Sequence, residues 1–241
     1  TVRLKILDAN LWGLPYPFAD KQEFRLQNFI ALARDFRPDL ILLQEIWMTT
    51  WIEELHQALP EYWLIHPEAG FYLPSGLLIL SRSRPLKAEF AQYPRTPDHS
   101  ILELFASKGW LKITLRIQRQ TCEVFTSHLY SANNPVEREI TNTQVRLLNA
   151  YIAVATVPVI LAGDFNTEPE PFQALFHSGW IWEENLESPT RARGGKKIDY
   201  LLLRLPADFL GKISATPLRE PSVSDHLPLV ASVTWKNLHG G

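Results

Sequence analysis

The chain has 241 residues, 46% of them hydrophobic, and a formal net charge of −2. That apolar fraction supports a buried core and argues against intrinsic disorder. The near-neutral charge gives no global attraction to nucleic acid or an anionic membrane. A single cysteine, Cys122, excludes an internal disulfide framework, and no apolar run approaches the roughly 18 residues of a membrane span. The length fits one large α/β domain, so residues 1–241 are expected to form a single domain. Cys122 lies in an apolar stretch and is expected as a small buried hydrophobe. The chain opens on a strand-like segment, not on a signal peptide. It begins with threonine, so a soluble protein in the cytoplasm and one secreted after loss of a leader both stay open.

In chain order, residues 2–9 read as the first strand. An irregular stretch, 14–21, leads to a helix over 22–34, with Phe24, Leu26, Phe29, Ile30 and Ala33 placed near one face. A strand follows at 40–43, then a helix over 50–59 opened by a capping box from Thr50 to Glu53. Residues 77–80 form a strand, and 82–107 read as a long loop. Strands are expected at 111–117 and 123–126. Asn134-Pro135-Val136-Glu137 has the form of an N-cap, a first-turn proline and a box glutamate, and starts a helix to about Ala153. The remainder is a strand at 157–161, a short helix over 170–177, a loop at 179–197, and strands at 198–203 and 229–233. The three irregular stretches carry Tyr16, Phe18, Tyr93, Trp180 and Trp182, which either pack on the sheets or meet a ligand or bilayer.

Polar residues of catalytic type recur where apolar strands stop. The first strand ends at Asn10, and Leu40-Ile41-Leu42-Leu43-Gln44 runs into Glu45. Val124-Phe125-Thr126-Ser127 ends at His128, and Val159–Gly163 at Asp164-Phe165-Asn166. Lys197-Ile198 leads to Asp199, and Ser224-Asp225-His226 precedes the last strand. Strand ends on one rim of a sheet converge, so these groups can share one pocket. Several carboxylates buried together need a cation. An oxygen-rich donor set suits Mg²⁺, with Mn²⁺ or Ca²⁺ as alternatives, more than zinc. Each element also has a plain reading. Asn10 and Gly163-Asp164-Phe165-Asn166 make ordinary turns, Glu45 a surface charge, His128 a structural histidine, Asp199 a partner for nearby lysines, and Ser224-Asp225-His226 a capped turn. The plain account needs six coincidences.

At these residues the sequence resembles the endonuclease/exonuclease/phosphatase superfamily, which includes DNase I-like nucleases, inositol polyphosphate phosphatases and neutral sphingomyelinases. Gln44-Glu45, Gly163-Asp164-Phe165-Asn166, Ile198-Asp199-Tyr200 and Ser224-Asp225-His226 carry the resemblance. Asn10-Leu11-Trp12-Gly13-Leu14-Pro15, Gln44-Glu45-Ile46-Trp47 and the segment from Ser75 to Arg82 look closest to the sphingomyelinase branch. Two positions depart from relatives: Trp12, where AP endonucleases commonly carry aspartate, and Ser75, where many members carry asparagine. The resemblance implies an α/β fold, a four-layer α/β/β/α sandwich of two mixed β-sheets with flanking helices. It implies that Glu45, assisted by Asn10, binds the principal metal with Asp225 near it. It also implies that Asp199 orients His226, that Asp164 and Asn166 position the attacking water and a phosphate oxygen, and that His128 bonds the phosphate or assists the leaving group.

The expectation is therefore a divalent-metal-dependent phosphodiester hydrolase, sphingomyelinase- or phospholipase C-like, in which water activated by His226 attacks directly. The substrate is a phosphodiester, with a phospholipid at a membrane surface foremost, and a monomer is expected. A nuclease of the same superfamily comes second, since the basic segment from Arg191 to Lys197 can track a phosphate backbone. Action on a small soluble phosphate ester uses the same machinery. A catalytically dead binding module comes last, because both the metal glutamate and the terminal histidine are present.

Overall fold

The computed structural model of the chain describes residues 1–68, 74–96, 101–176, 179–184 and 186–239. In chain order the strands and helices are β1 (Val2–Asn10), α1 (Gln22–Phe36), β2 (Leu40–Gln44), α2 (Thr49–Ala58), β3 (Trp63–Ile65) and β4 (Leu78–Ser81). A short 3-10 turn, Pro74–Gly76, precedes β4. Next come β5 (Lys87–Gln92), α3 (Ile101–Ala106), β6 (Gly109–Ile117), β7 (Gln120–His128) and α4 (Pro135–Ala153). The chain continues through β8 (Val159–Asp164), α5 (Pro169–Leu175), β9 (Trp180–Trp182), β10 (Asp199–Arg204), β11 (Phe209–Pro217) and β12 (Leu229–Asn237).

Two six-stranded sheets result, ordered β11-β12-β1-β2-β4-β3 and β5-β6-β7-β8-β10-β9. Each contains one parallel pair, β1 with β2 and β7 with β8, among antiparallel neighbours. A parallel pair needs a crossover, and α1 and α4 provide the two. The period-2 alternation of each strand then builds three cores. Val2, Leu4 and Ile6 of β1 meet Val124, Ile160 and Leu201 between the sheets. The opposite face of the first sheet takes Leu26, Phe29 and Ile30 of α1 and Ile52 and Leu55 of α2. That of the second sheet takes Val145 and Leu148 of α4 and Phe172 of α5. This is the four-layer α/β/β/α sandwich the sequence leads one to expect.

Local chemistry explains the element ends. Asn134 caps α4 by accepting from the Glu137 N–H at 3.0 Å, and the Glu137 carboxylate accepts from the Asn133 N–H at 2.7 Å. Cys122 is buried and its thiol is pushed up to about 12 by burial. The expected box at Thr50 does not form: α2 starts at Thr49, Met48 is its N-cap, and no side chain caps it. Phe24 is 59% exposed and stands apart from the face assigned to it. At 100° per residue it lies on the far side of α1 from Leu26, Ala33 and Phe29.

The long loops are also more ordered than their composition suggests. Residues 82–107 contain β5 and α3, and 179–197 contain β9; residues 97–100 and 185 and the expected helix end at His177 lie outside the described residues. The strand β3 is an apolar run of only three residues, WLI, and β11, with the sequence FLGKISATP, is mixed in polarity, so neither stands out by pattern alone. Pairing with β4 and β12 makes them strands. The loop aromatics divide: Tyr93 is buried and Trp180 and Trp182 pack in the α5 core, whereas Tyr16 and Phe18 are 82% and 64% exposed.

Candidate functional site

The inner face of each central strand changes character along its length. On β1 it reads Val2, Leu4, Ile6 and then Asp8, Asn10; on β7 it reads Cys122, Val124 and then Thr126, His128. On β8, Ile160 and Ala162 give way to Asp164. All three strands turn polar at their C-terminal ends. The antiparallel neighbour β10 contributes its start, since Asp199 registers against Asp164. The segment before β12 brings Asp225 and His226 to the same rim, where Arg191 and His226 form an isolated bridge. Two β-α-β units thus aim the ends of their parallel strands at one place, the position where open α/β sheets bind ligands.

Asn10 links the sheets. Its amide donates to Glu45 Oε1 at 2.8 Å and to Asp164 Oδ2 at 3.0 Å. Glu45 has a left-handed backbone, φ 59°, and its carbonyl accepts from the Gly13 N–H at 2.8 Å. A Cβ on Gly13 would stand 2.4 Å from that carbonyl oxygen, so only glycine fits. Asp164 Oδ1 accepts from the Asn166 N–H at 2.9 Å, closing the Asp164-Phe165-Asn166 turn around a buried phenylalanine. Asp199 takes the Nδ1 edge of His226 with both oxygens, at 2.9 and 3.0 Å. His226 Nε2 and His128 Nε2 lie 3.7 and 3.5 Å from Asp164 Oδ2.

The two histidines sit in opposed fields. Burial would lower the His226 pKa, but the charges of Asp199 and Asp164 outweigh it and push the ring up to about 10. His128 is held well below its ordinary value by burial first, then by the positive charges of Lys108 and His226. Among the described residues its Nδ1 is buried without a partner, and the neutral ring with its proton on Nε2, facing Asp164, is the tautomer that fits. Burial and the neighbouring Asp199 raise Asp164 to about 7, while His226 and Lys108 pull the other way. Burial also raises Asp8 well above the carboxylate range, against a hydrogen bond from Gln44. Groups whose environments separate their protonation states are the material of acid–base chemistry.

The donors at this rim suit a divalent cation. Ligand atoms of Glu45, His128 and Asp164 lie within 4.8 Å of one another, as do those of Asp164, Asp199 and His226. Glu45 is met by neutral donors, Asn10 and, at 3.5 Å, Trp47 Nε1. The nearby cations are committed elsewhere among the described residues: Arg191 to Asp225 at 2.7 Å and Lys108 to Glu103 at 2.9 Å. The set is therefore rich in carboxylate oxygen, and the raised His226 ring is the positive charge that it holds in the metal-free protein.

Of the eight residues singled out from the sequence, Asn10, Glu45, His128, Asp164, Asn166, Asp199 and His226 converge here. Asp225 lies beside them but belongs to neither group of close ligand atoms, being paired with Arg191. Several functional neighbours were not singled out. Lys108 is buried, donating to Glu103 and to the Leu129 carbonyl at 2.9 Å each. Arg25 is buried in α1 and donates to the carbonyls of Leu11, Trp12 and Asp20, which holds the loop between them against the site. Asp8 and Thr126 share strand faces with Asn10 and His128, a period-2 relation legible in the sequence. Lys108 and Arg25 had no such marker. Together the rim opens into a cavity of about 490 Å³, one wall of which is Leu14, Pro15, Phe18, Trp47, Met48 and Phe105.

Residues 9–226 match the family model described as the Endonuclease/Exonuclease/phosphatase family. The chain is 24% identical over 194 residues to sphingomyelin phosphodiesterase 2 of Homo sapiens, covering 75% of this chain and 45% of that protein. It thus spans less than half the length of the curated relatives it matches. Among solved structures it resembles D. rerio TDP2 complexed with single strand DNA product (TM-score 0.78, 18% identity, 97% and 100% of the two chains). It also resembles sphingomyelinase C from Streptomyces griseocarneus (TM-score 0.75, 18% identity, 96% and 99%). At these identities the structural likeness carries the fold. Among the described residues, no helix is long and apolar enough to cross a membrane.

Proposed function

The chain belongs to the endonuclease/exonuclease/phosphatase family, and on that premise we propose that it is a divalent-metal-dependent phosphodiester hydrolase acting on a phospholipid-type phosphodiester by direct attack of water. The observation that carries the lipid side is the cavity wall of Leu14, Pro15, Phe18, Trp47, Met48 and Phe105 beside the carboxylates. Phe18 and Phe105 are 64% and 67% exposed at its mouth. An apolar wall meeting a cation-binding rim fits an amphiphile whose phosphate is the reacting group. The likeness to sphingomyelin phosphodiesterase 2 points the same way. The whole chain acts as a single domain in this reading.

Glu45, steered by Asn10, and Asp164 would hold the cation. When bound, the ion offsets the phosphate charge and stabilises the leaving alkoxide. Asp199 holds the Nδ1–H of His226, and Nε2 faces Asp164. A cation on Asp164 would offset the carboxylate charge that keeps the ring protonated, which would free Nε2 to take the proton of the attacking water. The imidazolium so formed lies between two carboxylates that stabilise it. Neutral His128 donates from Nε2 to a phosphoryl or leaving oxygen. Asn166 gives one amide hydrogen to the Leu129 carbonyl at 3.0 Å and has a second for the phosphate. Asp225 keeps its pair with Arg191 and acts on the placement of His226.

Bis-p-nitrophenyl phosphate, sphingomyelin, lysophospholipid and plasmid DNA, each with Mg²⁺ and with EDTA, test this reading. Mg²⁺-dependent cleavage of choline phosphoesters is expected, and hydrolysis of DNA alone would sink the lipid assignment. A nuclease is the second reading, favoured by the likeness to TDP2 with a DNA product. Against it, three cations of the basic segment are already ion-paired: Arg191 with Asp225, Lys196 with Glu168 and Lys197 with Glu183.

A further inference from the structure

Beneath the rim lies a second polar layer that the proposed chemistry does not use. Gln44, the last residue of β2, spends one amide hydrogen on its own sheet and the other across the gap to the second sheet. Nε2 donates to Asp8 Oδ1 of β1 at 2.9 Å and to Thr126 Oγ1 of β7 at 2.9 Å. All three residues are essentially inaccessible: Asp8 is 1% exposed, Gln44 and Thr126 0%. Among the described residues, two oxygens of the set, Asp8 Oδ2 and Gln44 Oε1, have no hydrogen-bond partner. Below them the inter-sheet core is apolar, with Ile6, Leu42, Val124 and Ala162. An apolar residue at these positions would extend that core at no desolvation cost, whereas unsatisfied buried acceptors are costly. The polar layer is thus a poor stabilising device.

Its placement suggests what it does. Asp8 precedes Asn10 by two residues on one strand face, Thr126 precedes His128 by two, and Gln44 is followed at once by Glu45. Asp8 and Thr126 sit one step down their strand faces from rim residues, Gln44 registers against Asn10, and the side-chain links of this layer join β1 and β2 of one sheet to β7 of the other. The proposed cation ligands are divided between the same sheets, with Glu45 following β2 of one and Asp164 ending β8 of the other. Their spacing therefore depends on how far apart the sheets stand at this level.

We propose that Asp8, Gln44 and Thr126 form a positioning layer that sets the separation of Glu45 from Asp164, and thereby the affinity for the divalent ion. The inference rests on the metal-site reading above. Hydrogen bonds one layer behind a metal site typically tune its affinity by about 10–100-fold. The layer exchanges fold stability for that geometry.

Isothermal titration of the full chain with Mn²⁺, paired with thermal melts in EDTA, tests it. Thr126→Val and Gln44→Met remove the two donated bonds with little change of volume. Mn²⁺ binding is expected to weaken by about 10-fold or more in each, together with a modest fall in the metal-free melting temperature from the buried polar partner left unpaired. Thr126→Ser, which restores the hydroxyl, should recover most of the affinity. Folded variants that bind Mn²⁺ as tightly as wild type overturn the positioning role and leave the metal site standing. A fall in melting temperature with unchanged affinity marks the layer as structural and overturns the proposal. Wild-type protein that binds no Mn²⁺ overturns the metal-site reading and the proposal with it.

Discussion

Replacing Asp199 by asparagine removes one charge from the densest part of the rim with almost no change of shape. Asp199 is buried and contacts His226 Nδ1 with both oxygens, at 2.9 and 3.0 Å. A hydrogen bond to a charged group contributes about 1.5–3 kcal/mol. At about 1.4 kcal/mol per factor of ten, its loss alone accounts for roughly 10–100-fold. The asparagine amide can also turn its N–H toward the ring and favour the wrong tautomer, which removes the general base and adds to the loss. The expected fall in kcat on bis-p-nitrophenyl phosphate at pH 7 is about 10²–10⁴-fold, the usual span of general acid–base help. KM should change little, since Asp199 reaches substrate only through His226. The same variant, followed by NMR, should show the imidazole titrating below the value of about 10 it has beside Asp199 and Asp164. A folded variant with kcat within about threefold of wild type would refute the assignment of His226 as base, because a factor of three is under 1 kcal/mol.

Further outcomes follow from the same geometry. Glu45→Ala should abolish measurable Mg²⁺ binding by calorimetry and lower kcat by at least about 10²-fold with near-wild-type circular dichroism; retained turnover would exclude Glu45 as the principal ligand. The metal-free protein should lose thermal stability as pH rises. The raised Asp164, about 7 against an ordinary 3.8, removes stability between those values, and the raised His226, about 10 against 6.5, contributes stability below 6.5 that is lost on the way to 10. Melts from pH 5 to 10 in EDTA check this, and a flat profile would contradict it. Gly163→Ala puts a Cβ 2.0 Å from the Ser127 carbonyl oxygen at φ 146°, where overpacking of about 3 kcal/mol corresponds to a Tm lower by roughly 6–12 °C. Phe18→Ser with Phe105→Ser should depress turnover of sphingomyelin vesicles by about 10-fold or more relative to bis-p-nitrophenyl phosphate, since each exposed ring buried in lipid contributes up to about 1.5–3 kcal/mol; equal effects on both substrates would detach the apolar wall from the lipid reading.

The strand ends were the legible part of this chain. An inward face that runs Val2, Leu4, Ile6 and then Asp8, Asn10 carries its own boundary between core and site, because side chains two apart share a face whatever the strand pairs with. The same holds for Val124 before His128, for Ile160 before Asp164, and for the N-cap and proline at Asn134 and Pro135. Strand and helix identity there follow from local periodicity, whereas the meeting of seven of the eight residues at one rim follows from the long-range strand pairing. What local pattern could not carry is anything decided by a partner distant in sequence. The strand state of β11 comes from β12, and the burial of Lys108 comes from Glu103 and the Leu129 carbonyl. Arg25 reads as a polar helix residue until the carbonyls of Leu11 and Trp12 close over it. Asp225 reads as a member of the acidic rim, yet Arg191, 34 residues earlier, claims its carboxylate. Periodicity determines which way a side chain faces; which charge it finally meets depends on the whole chain closing two sheets together.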